Sequence, residues 1–111
     1  MGITVGFKDQ RRAANGKVTG EVTIVWKEKI RDDEIQLLSV GKKFDFPQGG
    51  EQQILNESFD VKAIRITAKV KVFEKAGSNQ VCVQGRLEAS ALGLIDIGRD
   101  LDENCHPIQQ N

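Results

Sequence analysis

Residues 64–90 alternate almost without exception. Ile64, Ile66, Ala68, Val70 and Val72 interleave with Arg65, Thr67, Lys69 and Lys71; past Lys75-Ala76-Gly77-Ser78-Asn79, Val81, Val83, Gly85, Leu87 and Ala89 interleave with Cys82, Gln84, Arg86 and Glu88. A period of two puts one set of side chains on one face of a strand and the other set on the opposite face. The two runs therefore predict a long β-hairpin with one dry and one wet side. A type II′ turn with Gly77 first sets Val72 opposite Val83, Ala68 opposite Leu87 and Ile66 opposite Ala89, so the apolar sides coincide. The same register opposes Lys69 and Arg86, which costs a few tenths of a kcal/mol unless an acid lies nearby.

A second hairpin is predicted around Asn15-Gly16, because both central residues of a type I′ turn need positive φ. Ile3, Val5 and Phe7 precede it, and Val18, Gly20, Val22, Ile24 and Trp26 follow at alternate positions. A two-residue turn there opposes Phe7 to Ile24 and Val5 to Trp26. Residues 35–40 and 43–46 read as two short strands divided at Gly41, followed by a Pro47-Gln48-Gly49-Gly50 loop. Residues 51–60 lack a clean period and read as loop or one helical turn. Residues 92–97 read as a last strand. A helix over 87–103 is the rival there, but Gly93 and Gly98 cost a helix about 1 kcal/mol each relative to Ala. About seven short strands between turn signals point to an all-β fold, an antiparallel β-sandwich with a small barrel as the alternative. Residues 1–98 form the expected single domain, and residues 99–111 an acidic and then polar, loosely held C-terminal tail.

A chain of 111 residues can bury roughly two-thirds of its unfolded surface and sustain one core. Sixteen basic residues balance sixteen acidic ones, so no general attraction to phosphate polymers or acidic membranes exists. The N-terminal sequence lacks a signal peptide's basic start and apolar run, and no stretch approaches the roughly 18 apolar residues of a membrane span. A cytoplasmic location is expected as the sequence stands, or secretion if a signal has been removed. Cys82 and Cys105 are expected as reduced thiols, the default for such a chain. Asn56-Glu57-Ser58 matches the glycosylation triplet, which matters only for a secreted protein.

The chemistry-bearing residues are few. Cys105 and His106, the single histidine, are adjacent, whereas catalytic Cys-His dyads unite residues far apart in the chain. Asp32, Asp33, Glu34, Asp96, Asp100, Asp102 and Glu103 show no spacing that distinguishes a catalytic pair from solvated acids. Phosphate-cradling, nucleophile-elbow and dinucleotide motifs are missing from the sequence. No enzymatic activity and no cofactor are expected. One histidine and two cysteines without a Cys-x-x-Cys cannot complete a zinc site alone. Calcium is the open metal reading, through Asp32, Asp33, Asp96, Asp100 and Asp102 gathered at strand ends.

Lys62, Arg65, Lys69, Lys71 and Arg86 share the wet side of the long hairpin, but stacking on bases needs aromatics beside them, and only Phe73 qualifies. Nucleic acid is not an expected partner. Trp26 falls on the apolar side of its strand and reads as core. Phe44, Phe46, Phe59 and Phe73 are the candidate contact residues for a protein partner. These features predict a non-enzymatic β-sandwich acting through protein–protein contact or self-association. The alternative is a calcium-dependent module for a carbohydrate or lipid headgroup, bound through the acidic loop ends.

Overall fold

The computed structural model describes residues 2–93 and 95–110. The chain is all-β, with long strands β1 (Gly2–Arg12), β2 (Val18–Ile30), β3 (Asp33–Phe46), β4 (Glu51–Val61), β5 (Ile64–Lys75), β6 (Gln80–Ala91) and β7 (Ile95–Pro107), then a short β8 (Gln109–Gln110). They form two four-stranded sheets, ordered β3-β2-β1-β8 and β4-β5-β6-β7. Among the described residues no hydrogen-bonded ladder joins the two sheets, and the architecture is a sandwich. The chain meanders through one sheet, crosses at Pro47-Gln48-Gly49-Gly50, meanders through the other, and returns to lay β8 parallel to β1. Strands of 11 to 14 residues make a prism of 51 × 21 × 20 Å.

Alternation is what builds the core. Ile64, Ile66, Ala68, Val70 and Val72 of β5, and Val81, Val83, Leu87 and Ala89 of β6, meet Val18, Val22, Ile24 and Trp26 of β2 in one cluster. Each large apolar side chain buried this way contributes about 1.5–3 kcal/mol. The β5–β6 register is the one the alternation predicts: Val72 opposes Val83, Ala68 opposes Leu87 and Ile66 opposes Ala89. Its connection is longer than a two-residue turn, since Lys75 and Gln80 form the last pair and Gly77 and Asn79 take positive φ. The opposed Lys69 and Arg86 are relieved from the next strand, where Asp100 accepts from Arg86 at 2.8 Å.

The first hairpin departs from expectation in register while keeping its faces. Val5 opposes Ile24 and Phe7 opposes Val22, a shift of two residues that leaves Ile3, Val5 and Phe7 on their predicted side. The cause is a wider loop over residues 13–17, closed by Ala13 N–H to Lys17 O and Gly16 N–H to Ala13 O, both 2.9 Å, together with a bulge between Lys8 and Arg11.

Three other expectations are corrected. Residues 33–46 are one strand, and Gly41 sits within it opposite Thr23 without breaking it. Residues 51–61 are strand β4, whose period is masked in the sequence by a bulge at Ile54 that shifts the parity between Gln53 and Leu55. The expected tail is instead the body of β7: Leu101 and Ile108 are buried, and a bulge opposite Gln84 interrupts the alternation. The last strand begins at Ile95, after β6 has run to Ala91. Leu94, which the expected strand included, lies outside the described residues. No helix occurs among the described residues.

Gly85 marks a point of close backbone approach between β5 and β6. A Cβ there would meet the Lys69 carbonyl oxygen at 2.2 Å and the Val70 Cα at 2.8 Å, both backbone atoms. Gly85→Ala is therefore expected to cost more than about 2 kcal/mol through overpacking, read as a lower guanidinium midpoint at unchanged slope. An unchanged midpoint would contradict the β5–β6–β7 packing described.

Candidate functional site

Two carboxylates are withdrawn from water, and each is held by an arginine of the other sheet. Glu28 of β2 is 6% exposed. It accepts from Arg99 of β7 through Nε and Nη2, both at 2.9 Å, and from Trp26 Nε1 at 2.7 Å. At the opposite end of the prism, Glu74 of β5 accepts from both terminal nitrogens of Arg12 of β1 and from Gly49 N–H at 2.8 Å. Arg12 also donates to Gly16 O at 2.9 Å and to Asn79 Oδ1 at 2.8 Å. Asn79 in turn exchanges main-chain and side-chain bonds with Ile108. One polar cluster thus ties together three loops and the C-terminal strand. The hydrogen bond from Arg99 chiefly holds the Glu28 carboxyl below its ordinary range, and that from Arg12 does the same for Glu74. In each case burial opposes the shift but is outweighed. Both acids are committed to structure and neither is poised for proton transfer.

The cysteines are corrected as well. Cys82 and Cys105 are joined in a disulfide, because the β6–β7 register places them directly opposite one another. Cys105 and His106 cannot act together, since successive strand residues point to opposite faces. Cys105 bridges to Cys82, whereas the His106 ring packs against Phe7 of β1 at 4.9 Å between centroids. Among the described residues, the one group of three or more metal-ligating side chains close enough to share an ion is Cys82, Glu103 and Cys105, and the bridge occupies both sulfurs.

The acids named for calcium are dispersed. Asp32 lies in the β2–β3 turn and Asp33 opens β3 opposite Ile30. Asp96, Asp100 and Asp102 are strung along β7, with Asp96 opposite Ser90 and Asp100 paired to Arg86. The basic stripe is interleaved with acids: Arg65 pairs with Asp60, Lys71 with Glu51, and Arg86 with both Glu88 and Asp100. Of the candidate contact aromatics, Phe44 and Phe46 are buried and stacked on each other at 5.8 Å, so they close one end of the core and are unavailable to a partner. Phe73 is half-buried on the outer side of β5 opposite Cys82, with Lys71 over its ring.

Phe59 is different, because it stands in the sandwich's open flank. Strands β3 and β4 each hydrogen-bond to a single neighbour, and one side-chain bond, Asp45 N–H to Gln52 Oε1 at 2.8 Å, links them near their shared loop. Away from that loop lies a cleft of about 530 Å³ lined by Leu37, Leu38, Val40, Leu55, Phe59 and Val61 together with the polar Gln36, Ser39 and Glu57. Leu37, Leu38 and Leu55 are buried at its floor, while Val40, Phe59 and Val61 are half-exposed. Sequence reasoning named only Phe59 of this set, because the β4 bulge hid the strand. The one fully exposed large apolar residue among those described is Leu92, at the β6–β7 tip. No family model, curated protein or solved structure matches this chain.

Two outcomes follow from these bonds. The bridge closes a loop with a sequence separation of 23, so Cys82→Ala/Cys105→Ala is expected to lose about 3 kcal/mol in denaturant unfolding while remaining folded; a loss near zero would mean the sulfurs are not joined. Glu28 and Glu74 bind protons less readily folded than unfolded, so their stabilisation is complete above the unfolded value near pH 4.5 and is lost as pH falls through the folded value. Thermal midpoints are expected to be flat from about pH 7 to 5 and to fall below about 4.5. The double variant Glu28→Gln/Glu74→Gln is expected to be less stable at neutral pH by about 2–4 kcal/mol, a figure discounted because the Arg99 head is half exposed. Its acid slope is expected to be shallower, and an acid slope equal to the parent's would contradict the assignment.

Proposed function

We propose that this chain is a non-enzymatic recognition module that works by contacting another protein in an oxidising compartment. The observation that carries the reading is a contrast. Both inter-sheet carboxylates and both thiols are spent on bonds that hold the fold, while the β3–β4 flank keeps an apolar cleft uncovered. A pocket of mostly apolar side chains with a few polar groups among them is the usual form of a binding site, and half-exposed Phe59 and Val61 gain from being covered. The disulfide supports the compartment, because such bonds persist outside the reducing cytosol.

Contact with a different protein is favoured over self-association. Each of the four outermost long strands carries an extra residue relative to its neighbour: β1 near Asp9, β3 at Leu37, β4 at Ile54 and β7 near Asp102. Bulges at sheet margins disfavour flat edge-to-edge pairing of two copies, while the regular stretches beyond them, residues 38–46 of β3 and 55–61 of β4, stay open to a segment of other sequence. The calcium reading requires Asp32 and Asp33 to meet Asp96, Asp100 and Asp102, a gathering not found among the described residues.

A photo-crosslinking amino acid placed at Phe59 and, as a control, at outward-facing Lys69 tests the proposal in the chain's native host. The expected result is one discrete light-dependent adduct with a different protein from position 59 and none from position 69. No adduct from position 59, or only an adduct of twice the chain's own mass, overturns the reading.

A further inference from the structure

The two flanks of the sandwich are unlike, and the closed one shows what the open one lacks. On the β1–β7 side the chain finishes its own structure: Ile108 is buried, β8 pairs with β1, Gln10 donates to Pro107 O at 3.3 Å, and the Phe7 and His106 rings meet. On the β3–β4 side, among the described residues, only the bond from Asp45 N–H to Gln52 Oε1 near the shared loop joins the two strands. Two strand margins face a gap whose floor is Leu37, Leu38 and Leu55. A margin of this sort carries a row of main-chain donors and acceptors free to pair with an added strand.

One residue in the gap breaks the apolar row. Past the Ile54 bulge, Leu55, Glu57, Phe59 and Val61 oppose Val70, Ala68, Ile66 and Ile64, the inward residues of β5. Glu57 therefore holds an inward position between Leu55 and Phe59. It is exposed, and no ion pair involving it occurs among the described residues. A carboxylate pointing inward from a strand margin repels a purely apolar strand, which would desolvate it unpaired. The same carboxylate rewards a strand that brings a cation to it, because a charge-assisted bond in a partly dry gap is worth more than one in water.

We propose that the β3–β4 cleft accepts an extended segment of another protein whose alternate side chains are apolar, with one lysine or arginine among them facing Glu57. This rests on the reading of the chain as a protein-contact module and names the chemistry of its partner. Residues 55–61 span roughly 20 Å at about 3.3 Å per residue, so a segment of about seven residues fills the gap. The flanking apolar side chains cover Val40, Phe59 and Val61, and the cation neutralises a carboxylate that an apolar strand would leave desolvated and unpaired.

The test uses two labelled peptides, Thr-Val-Thr-Lys-Thr-Val-Thr and the same peptide with glutamate at its centre. Fluorescence anisotropy against the full chain is expected to show saturable binding of the lysine peptide, at least about tenfold tighter than the glutamate peptide. Glu57→Lys is expected to invert the preference and Glu57→Gln to abolish it, with thermal midpoints near the parent's because the side chain is exposed. Equal affinities for the two peptides, no saturable binding at millimolar concentration, or a preference indifferent to Glu57→Lys overturns the proposal. So does a concentration-dependent dimer in sedimentation that Glu57→Lys dissolves, since a second copy would then be the occupant. An adduct at Phe59 without charge preference would remove this inference and leave the module reading intact.

Discussion

Each long strand in this molecule must hide alternate side chains in one shared core. The demand is strict because a slip of one residue would turn a strand's whole apolar row to water, whereas a slip of two is harmless. The β1–β2 pairing shows that latitude: it sits two residues away from the register its Asn15-Gly16 turn suggests, with Phe7 and Val5 still on the inner side. Turn geometry yields where core parity does not. The β2–β3 and β4–β5 hairpins close through Arg31-Asp32 and Lys62-Ala63, all four at positive φ. For such residues that conformation costs roughly 1–2 kcal/mol each, and the strands they join repay it in buried surface.

Apolar contact is non-directional, so it does not by itself fix how one sheet lies on the other. Directional bonds at both ends supply that alignment. Glu28 and Arg99 join β2 to β7, and Arg12 and Glu74 join β1 to β5. The second pair also gathers Gly16, Gly49 and Asn79 from three separate loops. The disulfide works within a sheet, pinning β6 to β7 beside the bulge that offsets them. The prism is thus held at both ends, and between them the β3–β4 flank keeps an apolar cleft open.

How much of this was legible in the sequence depended on whether parity was continuous. β5 and β6 were read down to the individual pairs because neither strand carries an extra residue, and β2 was read for the same reason. β4 does not announce itself, because Ile54 is inserted and Glu57 occupies an inward position, so its pattern does not alternate on paper. β7 reads as a tail because its bulge and its Asp100, Asp102 and Glu103 dilute the apolar signal. The turn at Lys62-Ala63 carries neither glycine nor asparagine to announce it. The two inter-sheet ion pairs and the Cys82–Cys105 bridge depend on registers and on sheet packing that no local pattern encodes. The candidate cleft inherits these gaps, since it is made of the very margins whose strands were hardest to read; Phe59 alone was named in advance.

The molecule is a sandwich clasped at both ends with an apolar cleft open along its β3–β4 flank. Amide exchange followed residue by residue tests that claim most directly, because it reports which main-chain groups lack a partner. The central amides of Ile66, Val70, Val83 and Leu87 are expected to be the slowest, and alternate amides within residues 36–40 and 55–61 to exchange almost as an unfolded chain does, while that of Ile108, bonded to the Asn79 carbonyl, is slowed. Uniform protection across β3 and β4, or fast exchange at the central positions, would contradict it.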